Sequence, residues 1–531
     1  MLILKRWCAI NKGFFQKYFL SDNLSEKAFD RFYLGIPLLV SVGVKAILLF
    51  FLHQSAINMD GILYINAAKQ YAAGNMSAGF SIYPMPAYPM LMALIHTIIP
   101  NWISAGYFIS IGSMILSIIP LYYLTKAMFG PKSAFWASLM FALLPKMNEW
   151  ALYVSRDALF LLISACLLHA VLLWSRKSDF FLFGIIFVLV WTSILIRIEG
   201  LIFVFFYAGL LFYRGLTVEN QKKKYFLKLL LWLGFPFGIA FMLTKIMGVN
   251  FIAANRFDQV FNELFYFLRG HRFHNYFQIY NFFSEAENYP PFSGWHYNFA
   301  SLSRHYILII YLMGMVEIVG KIISPLSCIP LYRGLRKPFT AQGKYIFWIF
   351  FIFIGLVYYS LLTRDFVATR FLMIPAFLLL PWIGAGINAL WMQRRNSSHR
   401  ILIPIVIFFV VSIPAVKTFC LIEENDNTIP RSVAWFAMNS SSKKIKIITN
   451  ADRLPFYATL EKSWSSDWTI EVYKNKNFEE IKKIAVKNKA AVLILKIRLD
   501  KSKEKLDFNC FKELKRFSSG KEVTIIYALH P

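Results

Sequence analysis

Long apolar runs separated by short polar segments dominate the chain from residue 33 to residue 420. A helix needs ~20 apolar residues to cross the hydrocarbon core of a membrane. Runs that reach or approach this length lie at residues 33–52, 103–125, 133–145, 156–174, 180–196, 200–213, 229–247, 305–326, 345–362, 371–391 and 401–420. The pattern therefore predicts an α-helical polytopic membrane protein with about 11 transmembrane helices.

The apolar run Phe180–Tyr213 requires two helices rather than one. A single helix of this length would extend ~50 Å, whereas the hydrocarbon core is ~30 Å thick. Arg197 and Glu199 lie near its middle, where a charged side chain in lipid is costly. We therefore predict two helices joined by a turn at Arg197–Gly200. In this turn Arg197 and Glu199 would form a structural ion pair, or Arg197 would serve a binding site.

The alternation of apolar and polar positions changes after Cys420. The segment that follows is polar and basic and contains no run long enough to span a membrane. KIKIITNA, AAVLILKI and VTIIYAL are typical of buried strands, and FEEIKKIAVKNK is typical of a helix. This spacing predicts a small α/β domain outside the membrane. The predicted organisation is a basic amphipathic cytoplasmic segment at residues 1–32, a transmembrane domain at 33–420 with outer loops at 53–102 and 248–304, and a soluble extracytoplasmic domain at 421–531.

Composition and charge agree with a membrane protein and exclude several other classes. Hydrophobic residues make up 57% of the chain, against ~45–50% in a typical soluble domain. The net charge of +28 comes from basic residues scattered between the apolar runs, which argues against nucleic acid and favours anionic membrane lipid. The five cysteines are far apart and show no CxxC spacing, so we predict neither a zinc site nor a disulfide framework.

The basic loops predict the orientation of the chain in the membrane. Basic loops favour the cytoplasmic side, so we expect a cytoplasmic N-terminus and an extracytoplasmic C-terminus. Asp60, Asp157, Arg197 and Arg370 then all lie near the outer face. Lys45, inside the first apolar run, is expected to extend its amine to the membrane surface. Lys and Arg are concentrated before residue 33 and at residues 125–132, 175–178, 214–224, 332–338 and 392–400.

The outer face lacks a supply of nucleotide-activated substrates. The sequence agrees, because it contains neither GxxxxGK[ST] nor a GxGxxG between a strand and a helix. An enzyme at this face would use a lipid-linked donor. It would need a carboxylate as base, arginines that hold a phosphate leaving group, and a groove for the lipid tail. Asp60 and Asp157 are candidate carboxylates, although each could instead cap the helix that it precedes.

Six segments combine these residues in a recognisable order along the chain. They are DGILYINAAKQYAAG (60–74), IYPMPAYPMLMAL (82–94), SRDALFLLISACLL (155–168), IRIEGLIF (196–203), TRFLMIPAFLLL (369–380) and WFAMNSSSKKIKIITNADRLPFYA (435–458). In this order they resemble the polytopic C-class glycosyltransferases that use polyprenyl-phosphate sugars. The closest resemblance is to the superfamily of the protein O-mannosyltransferases and the lipid A aminoarabinose transferases.

The resemblance implies a role for each matching residue. Asp60 would act as the general base or position the acceptor, and Asp157 would be a second acid near the site. Arg370 would bind the donor phosphate, with Arg197 as a weaker candidate. Further candidates, in the outer loops that would contact the substrate or gate the site, are Tyr64, Tyr83, Arg256 and Arg272.

The chain departs from this family beside Asp60. The protein O-mannosyltransferases have a second acid next to the first, whereas this chain has Gly61. Ile82 and Tyr83 stand where the aminoarabinose transferases have charged residues. No cofactor is predicted, and the departures leave both a divalent metal requirement and the identity of the sugar open.

The resemblance implies an inverting glycosyltransferase in the cytoplasmic (inner) membrane. It would transfer a hexosyl or pentosyl group from a polyprenyl-phosphate donor to a lipid, polysaccharide or protein acceptor at the outer face. Two alternatives stand beside it. An O-antigen-type polymerase or ligase would depend on arginines in one large outer loop. A transporter or flippase for lipid-linked glycans would favour broken helices and two similar halves.

Overall fold

The fold is a bundle of α-helices followed by one small sheet. The computed structural model describes residues 26–52, 56–177, 179–217, 223–232, 234, 262, 265, 269, 273–287, 294–337, 341–364, 369–393, 401–424, 427–440, 445–460, 468–474, 478–488, 490–498, 511–519 and 522–529. Statements about structure refer to these residues.

The helices of the bundle range from seven to 27 residues in length. The helices of the first half are α1 Glu26–Leu52, α2 Met59–Ala72, α3 Met76–Ile82, α4 Ala87–His96, α5 Trp102–Leu116, α6 Ile118–Phe129, α7 Pro131–Leu143, α8 Pro145–Ala151, α9 Arg156–Lys177, α10 Phe180–Ile196 and α11 Leu201–Thr217. Those of the second half are α12 His274–Glu287, α13 Gly294–His305, α14 Ile307–Ile323, α15 Cys328–Leu335, α16 Ala341–Arg364, α17 Met373–Gln393 and α18 Leu402–Phe419.

The prediction of a polytopic α-helical membrane protein is confirmed. Within the described ranges, seven helical spans are long and apolar enough to cross a membrane, and an eighth results if the bent pair α13–α14 counts as one. The predicted spans at 133–145 and 180–196 correspond to α7 and α10, which have 13 and 17 residues. The predicted span at 229–247 falls largely outside the described residues.

The predicted turn between α10 and α11 is present. α10 ends at Ile196, a 3₁₀ turn covers Ile198–Gly200, and α11 begins at Leu201. Gly200 is required here, because a Cβ at this position would come within 2.6 Å of the Ile194 backbone nitrogen. The polar turn therefore bends the chain back at one end of the bundle.

α17 is the centre of the bundle and is almost entirely buried. Its glycines let neighbouring backbones approach: a Cβ on Gly386 would lie 1.7 Å from the Pro330 carbonyl oxygen of α15. A Cβ on Gly384 would lie 2.3 Å from the Ser133 carbonyl oxygen of α7. Small residues at such contacts are typical of membrane helix packing. The packing holds α17 in the middle of the bundle, and Arg370 lies in the turn that directly precedes it.

The end of the chain forms the predicted small α/β unit. Its helices are α19 Thr428–Asn439, α20 Leu454–Ala458 and α21 Phe478–Lys487, and its strands are β1 Ile445–Thr449, β2 Trp468–Val472, β3 Val492–Arg498, β4 Phe511–Ser519 and β5 Glu522–Leu529. The strand order is β2-β1-β3-β5-β4. β1 pairs in parallel with β2 and β3, whereas β5 is antiparallel to β3 and β4. The sequence pattern missed β2, β4, α19 and α20.

The expectation that Lys45 reaches the membrane surface is wrong. Lys45 is only 1% exposed inside the bundle. Its amine donates to Ser41 Oγ and to Asn148 Oδ1, both at 2.9 Å. Asn148 comes from α8, and no local pattern in α1 could have indicated this distant acceptor. A buried polar group is kept where hydrogen-bond partners satisfy it.

Candidate functional site: two ion-pair networks around one cavity

Asp60 and Arg370 meet at one end of the bundle, although 310 positions separate them. Asp60 lies in the first turn of α2, and Arg370 lies in the 3₁₀ turn Thr369–Leu372 that precedes α17. Arg370 Nη1 donates to Asp60 Oδ2 at 2.5 Å. The Asp60 side chain is 41% exposed and the Arg370 side chain is 30% exposed, so a substrate can reach the pair. We call this region the Asp60 end of the bundle.

A second network lies in the turn between α10 and α11. Arg197 donates through Nη1 to Asp157 Oδ1 and through Nε to Glu199 Oε2, the latter at 3.1 Å. The predicted ion pair between Arg197 and Glu199 is therefore confirmed, and Asp157 extends it. Arg197 and Asp157 are each only 5% exposed. A single buried cation thus holds two carboxylates.

Ser155 fixes the orientation of Asp157. Its hydroxyl donates to Asp157 Oδ2 at 2.6 Å and accepts from the backbone N–H of Asp157 at 3.1 Å. Ser110 Oγ donates to the Ser155 carbonyl at 3.2 Å, and the Tyr88 hydroxyl lies 3.3 Å from Ser110 Oγ. This chain of hydrogen bonds joins the start of α9 to α5 and α4. Asp157 is consequently anchored on both carboxylate oxygens.

Phe371 and Arg156 connect the two networks. The Phe371 ring centroid lies 5.4 Å from the Arg197 guanidinium carbon and 5.5 Å from that of Arg370. Arg156 donates to the Ile196 carbonyl at 2.9 Å, and it interacts electrostatically with both Asp60 and Glu199. The two ion-pair networks therefore belong to one site.

A cavity of about 580 Å³ opens between α9, α16 and α17. Its polar end contains Arg197, Arg370, Asp157 and Glu199, and most of its remaining lining is apolar. Such a combination suits a ligand with a charged head and a hydrocarbon body. The apolar and hydroxyl side chains that α16 contributes are Phe353, Leu356, Val357, Tyr359, Ser360 and Thr363.

Arg370 has unused hydrogen-bonding capacity at this cavity. Its Nη1 binds Asp60, whereas its Nε is buried and has no hydrogen-bond partner among the described residues. A guanidinium presents five N–H donors in a fixed plane. Arg370 can therefore bind an oxyanion while it keeps its contact with Asp60.

Tyr64 and Tyr83 pack against each other beneath Asp60. Their ring centroids are 4.8 Å apart in an edge-to-face arrangement, and the Arg156 guanidinium carbon lies 5.3 Å above the Tyr83 ring. The two tyrosines are 2% and 7% exposed. Burial raises the pKa of the Tyr64 hydroxyl, which Arg156 opposes only in part. Tyr64 consequently stays neutral and supports the site from below.

The alternative in which Asp60 and Asp157 cap their helices is wrong. α2 begins at Met59, so its N-cap is Asn58, and Asp60 lies inside the first turn. At α9 the hydroxyl of Ser155 accepts from a first-turn amide, while the Asp157 carboxylate binds Arg197. Both carboxylates remain favourable near a helix N-terminus, but their hydrogen-bond partners come from elsewhere.

The position beside Asp60 has no room for a second acid. A Cβ on Gly61 would lie 3.0 Å from Val154 Cβ and 2.9 Å from Asn58 Oδ1. Val154 is branched and fully buried, so it cannot move away easily. The departure from the two-acid pattern of the protein O-mannosyltransferases therefore has a steric reason in this chain.

We expect Gly61→Ala to destabilise the protein by about 1–3 kcal/mol, the usual range for overpacking. The thermal unfolding midpoint in detergent measures this loss. Gly35→Ala in α1 is the matched control, since nothing lies within 4 Å of the added Cβ. It should leave the midpoint unchanged or raise it, because alanine favours a helix over glycine. Equal midpoints for the two variants would contradict the close contact with Val154.

Two of the predicted site residues cannot be placed in the site. Arg256 and Arg272 lie outside the described residues. Across the described ranges, no three His, Cys, Asp or Glu side chains converge, and the carboxylates at the Asp60 end are bound by arginines.

The sequence analysis did not select Arg156, Ser155, Phe371 or the α16 side chains that line the cavity as site residues. The position of Phe371 directly after Arg370 could have indicated its role. The sequence of α16 is largely apolar and contains no feature that would have indicated a cavity.

The sequence matches no protein-family model and no curated protein. The fold, however, is similar to solved structures. The Archaeoglobus fulgidus oligosaccharyltransferase in its apo form has a TM-score of 0.50 at 10% identity, covering 90% of this chain and 70% of that one. The archaeal oligosaccharyltransferase AglB from A. fulgidus, in complex with an inhibitory peptide and a dolichol-phosphate, gives 0.45 at 12% identity, covering 95% and 74%. ArnT from Cupriavidus metallidurans, bound to undecaprenyl phosphate, gives 0.47 at 12% identity, covering 94% and 98%.

Identities this low establish the fold rather than the activity. The fold nevertheless agrees with the order of motifs along the chain. The chain therefore has the polytopic fold of the A. fulgidus oligosaccharyltransferase, and the expected resemblance is confirmed for the fold alone.

Proposed function

We propose that the protein is an integral-membrane glycosyltransferase that takes a sugar from a polyprenyl-phosphate donor. The observation that carries this proposal is the meeting of Asp60 and Arg370 beside a cavity with a charged end and an apolar body. A phosphate at the charged end and a prenyl chain along the apolar wall would match this chemistry. The acceptor would be a lipid, a polysaccharide or a protein.

The proposed reaction is a single displacement at the anomeric carbon. An acceptor oxygen forms a bond to this carbon while the bond from the carbon to the phosphate oxygen breaks. The acceptor proton passes to the Asp60 carboxylate, and the bonding electrons leave with the polyprenyl phosphate. One displacement inverts the anomeric centre. A positioned base typically contributes 10²–10⁴-fold to such a step.

The arginines would stabilise the charge that develops on the leaving phosphate. Arg370 has a free Nε and lies at the cavity, so it is the primary candidate. Arg197 also lines the cavity but is already bound to Asp157 and Glu199. Asp157 then acts mainly by holding Arg197 in place. Preorganised cations of this kind lose little energy in reorganisation when the charge appears.

The direct test is transfer by the purified protein in proteoliposomes. We expect a polyprenyl-phosphate sugar to be consumed, with polyprenyl phosphate and a glycosylated acceptor appearing in equal amounts by mass spectrometry. A deletion strain should lack one surface sugar and accumulate its lipid-linked donor. Movement of an intact donor across the bilayer, with no bond cleavage, would instead identify a transporter and overturn the proposal.

We expect Arg370→Lys to raise the KM for the donor by about tenfold or more, since a hydrogen bond to a charged group contributes about 1.5–3 kcal/mol. Lysine retains the charge but loses the fixed planar donors that bind two groups at once. The donor titration in proteoliposomes measures the change. Arg336→Lys is the control, because Arg336 is exposed beyond the end of α15 and stacks on Tyr332. A donor KM that stays at the wild-type value in Arg370→Lys would remove Arg370 from the donor site.

A further inference from the structure

The segment Ala56–Asn58, just before Asp60, is tied to two distant parts of the chain. The backbone N–H of Ile57 donates to the Tyr457 hydroxyl at 2.6 Å. The side-chain amide of Asn58 donates to the Val154 carbonyl at 3.2 Å. Ile57, Tyr457 and Val154 are all buried. The start of α2 is therefore held from both sides.

Tyr457 belongs to the C-terminal α/β unit rather than to the bundle. It lies in α20, which follows β1, and α20 shares one apolar cluster with α2 and α4. Arg453, just before α20, also directs Nη1 toward the Ala56 carbonyl at 3.5 Å. In open α/β sheets, ligands commonly bind beyond the carboxyl ends of the strands, where the strand order reverses. In this chain, the segment after β1 contacts the chain's own loop beside Asp60.

The Tyr457 hydroxyl accepts a hydrogen bond from the Ile57 amide, which is not part of the backbone hydrogen bonds of α2. The first helical bond of α2 runs from the Ile62 amide to the Asn58 carbonyl, so Ile57 lies just before the helix. Without the Tyr457 hydroxyl, this buried N–H would lack a hydrogen-bond partner. An unpaired buried N–H costs free energy, so the segment would shift toward a position where the N–H is paired. Asp60 is only three positions further along and would move with it.

We propose that Tyr457 is a positioning residue for Asp60, so that the C-terminal α/β unit is part of the catalytic unit. Its hydroxyl fixes the first turn of α2 and so keeps the Asp60 carboxylate at Arg370. This inference rests on the proposed function, because it assigns Tyr457 to the same site. It concerns the geometry of the acid–base step rather than donor binding, since Tyr457 does not line the cavity.

Tyr457→Phe tests the inference, because it removes only the hydroxyl and keeps the packed ring. Misplacement by ~1 Å can cost about 10²-fold in rate, so we expect turnover to fall about 10- to 100-fold while the donor KM stays close to the wild-type value. Hydrogen–deuterium exchange of a peptide that contains Ile57 should speed up. Tyr473→Phe is the control: its hydroxyl lies in the same unit but contacts Glu471, and it should change neither turnover nor exchange at Ile57.

The outcomes separate this inference from the proposed function. Unchanged exchange at Ile57, or faster exchange with unchanged turnover, would overturn the role of Tyr457 and leave the transferase proposal intact. A wild-type protein without transfer activity would overturn both, although the exchange measurement would still report the contact. If Tyr457→Phe fails to accumulate in membranes, exchange in the wild-type protein still tests the contact: the Ile57 amide should be protected because it donates to the Tyr457 hydroxyl, and an unprotected amide there would overturn the role of Tyr457.

Discussion

Replacing Asp60 with asparagine should lower glycosyl transfer about 10²–10⁴-fold, the contribution expected of a positioned general base. Asparagine has nearly the same shape but cannot take up the proton of the acceptor hydroxyl. Single-turnover measurements with a labelled donor would isolate the chemical step. The variant should still fold, since the partly exposed pair with Arg370 stabilises the protein by only ~0–1 kcal/mol.

The chain offers a matched control for this substitution. Asp30 lies near the start of α1, and its carboxylate accepts from Lys126 Nζ at 2.5 Å and from the Tyr122 hydroxyl at 2.9 Å. Asp30 lies 22 residues before the end of α1 at Leu52, so roughly 33 Å of helix separates it from that end. Asp30→Asn removes a similar ion pair far from the cavity and should retain transfer. Full activity in Asp60→Asn would exclude Asp60 as the base.

Replacing Arg197 with alanine should destabilise the protein by about 3–5 kcal/mol, the usual cost of breaking a buried ion pair by removing one partner. Asp157 and Glu199 would both lose the cation that binds them. Heat- or denaturant-induced unfolding in detergent measures the loss of stability. Arg214→Ala is the control for losing an arginine, because Arg214 binds no carboxylate in the part of the chain that the structure describes. It donates to the Ser175 carbonyl and packs on Trp174.

Neutralising the two carboxylates should partly rescue this variant. Adding Asp157→Asn and Glu199→Gln to Arg197→Ala removes the stranded negative charges, so part of the lost stability should return. Interacting residues in one network show this kind of non-additivity. If the triple variant is as unstable as the sum of its single changes, the three side chains do not depend on one another.

The charged residues whose loss would destabilise the protein also form part of the candidate site. Arg197 lines the cavity and is bound by Asp157 and Glu199, and Ser155 in turn binds Asp157. An apolar replacement of the network would keep the helices packed but would leave Arg370 as the one arginine among the described residues that line the cavity. Buried ion pairs are weak contributors to stability. Their retention at the end of a membrane bundle agrees with a binding role for the site.

Several local features followed from the sequence alone. The length and hydropathy of each apolar run predicted the long helices, since a spanning helix satisfies its own backbone hydrogen bonds. Two charges within a run too long for one helix predicted the turn at Arg197–Gly200. The alternating patterns after Cys420 predicted β1, β3, β5 and α21. β2 was missed because it has only five residues, and β4 was missed because most of its residues are polar. Both strands lie at the edges of the sheet.

The sequence by itself determined the long apolar helices and the strands β1, β3 and β5, because those depend on neighbouring residues. Which charges share a site was decided by tertiary structure: Arg370 bound to Asp60, Lys45 bound to Asn148, and Tyr457 bound to the Ile57 amide. A buried polar group needs a partner, but the pattern around it does not say which distant helix will bring that partner. Close packing of helices, as α17 packs on α7 at Gly384 and on α15 at Gly386, decides such positions, and no local motif encodes it.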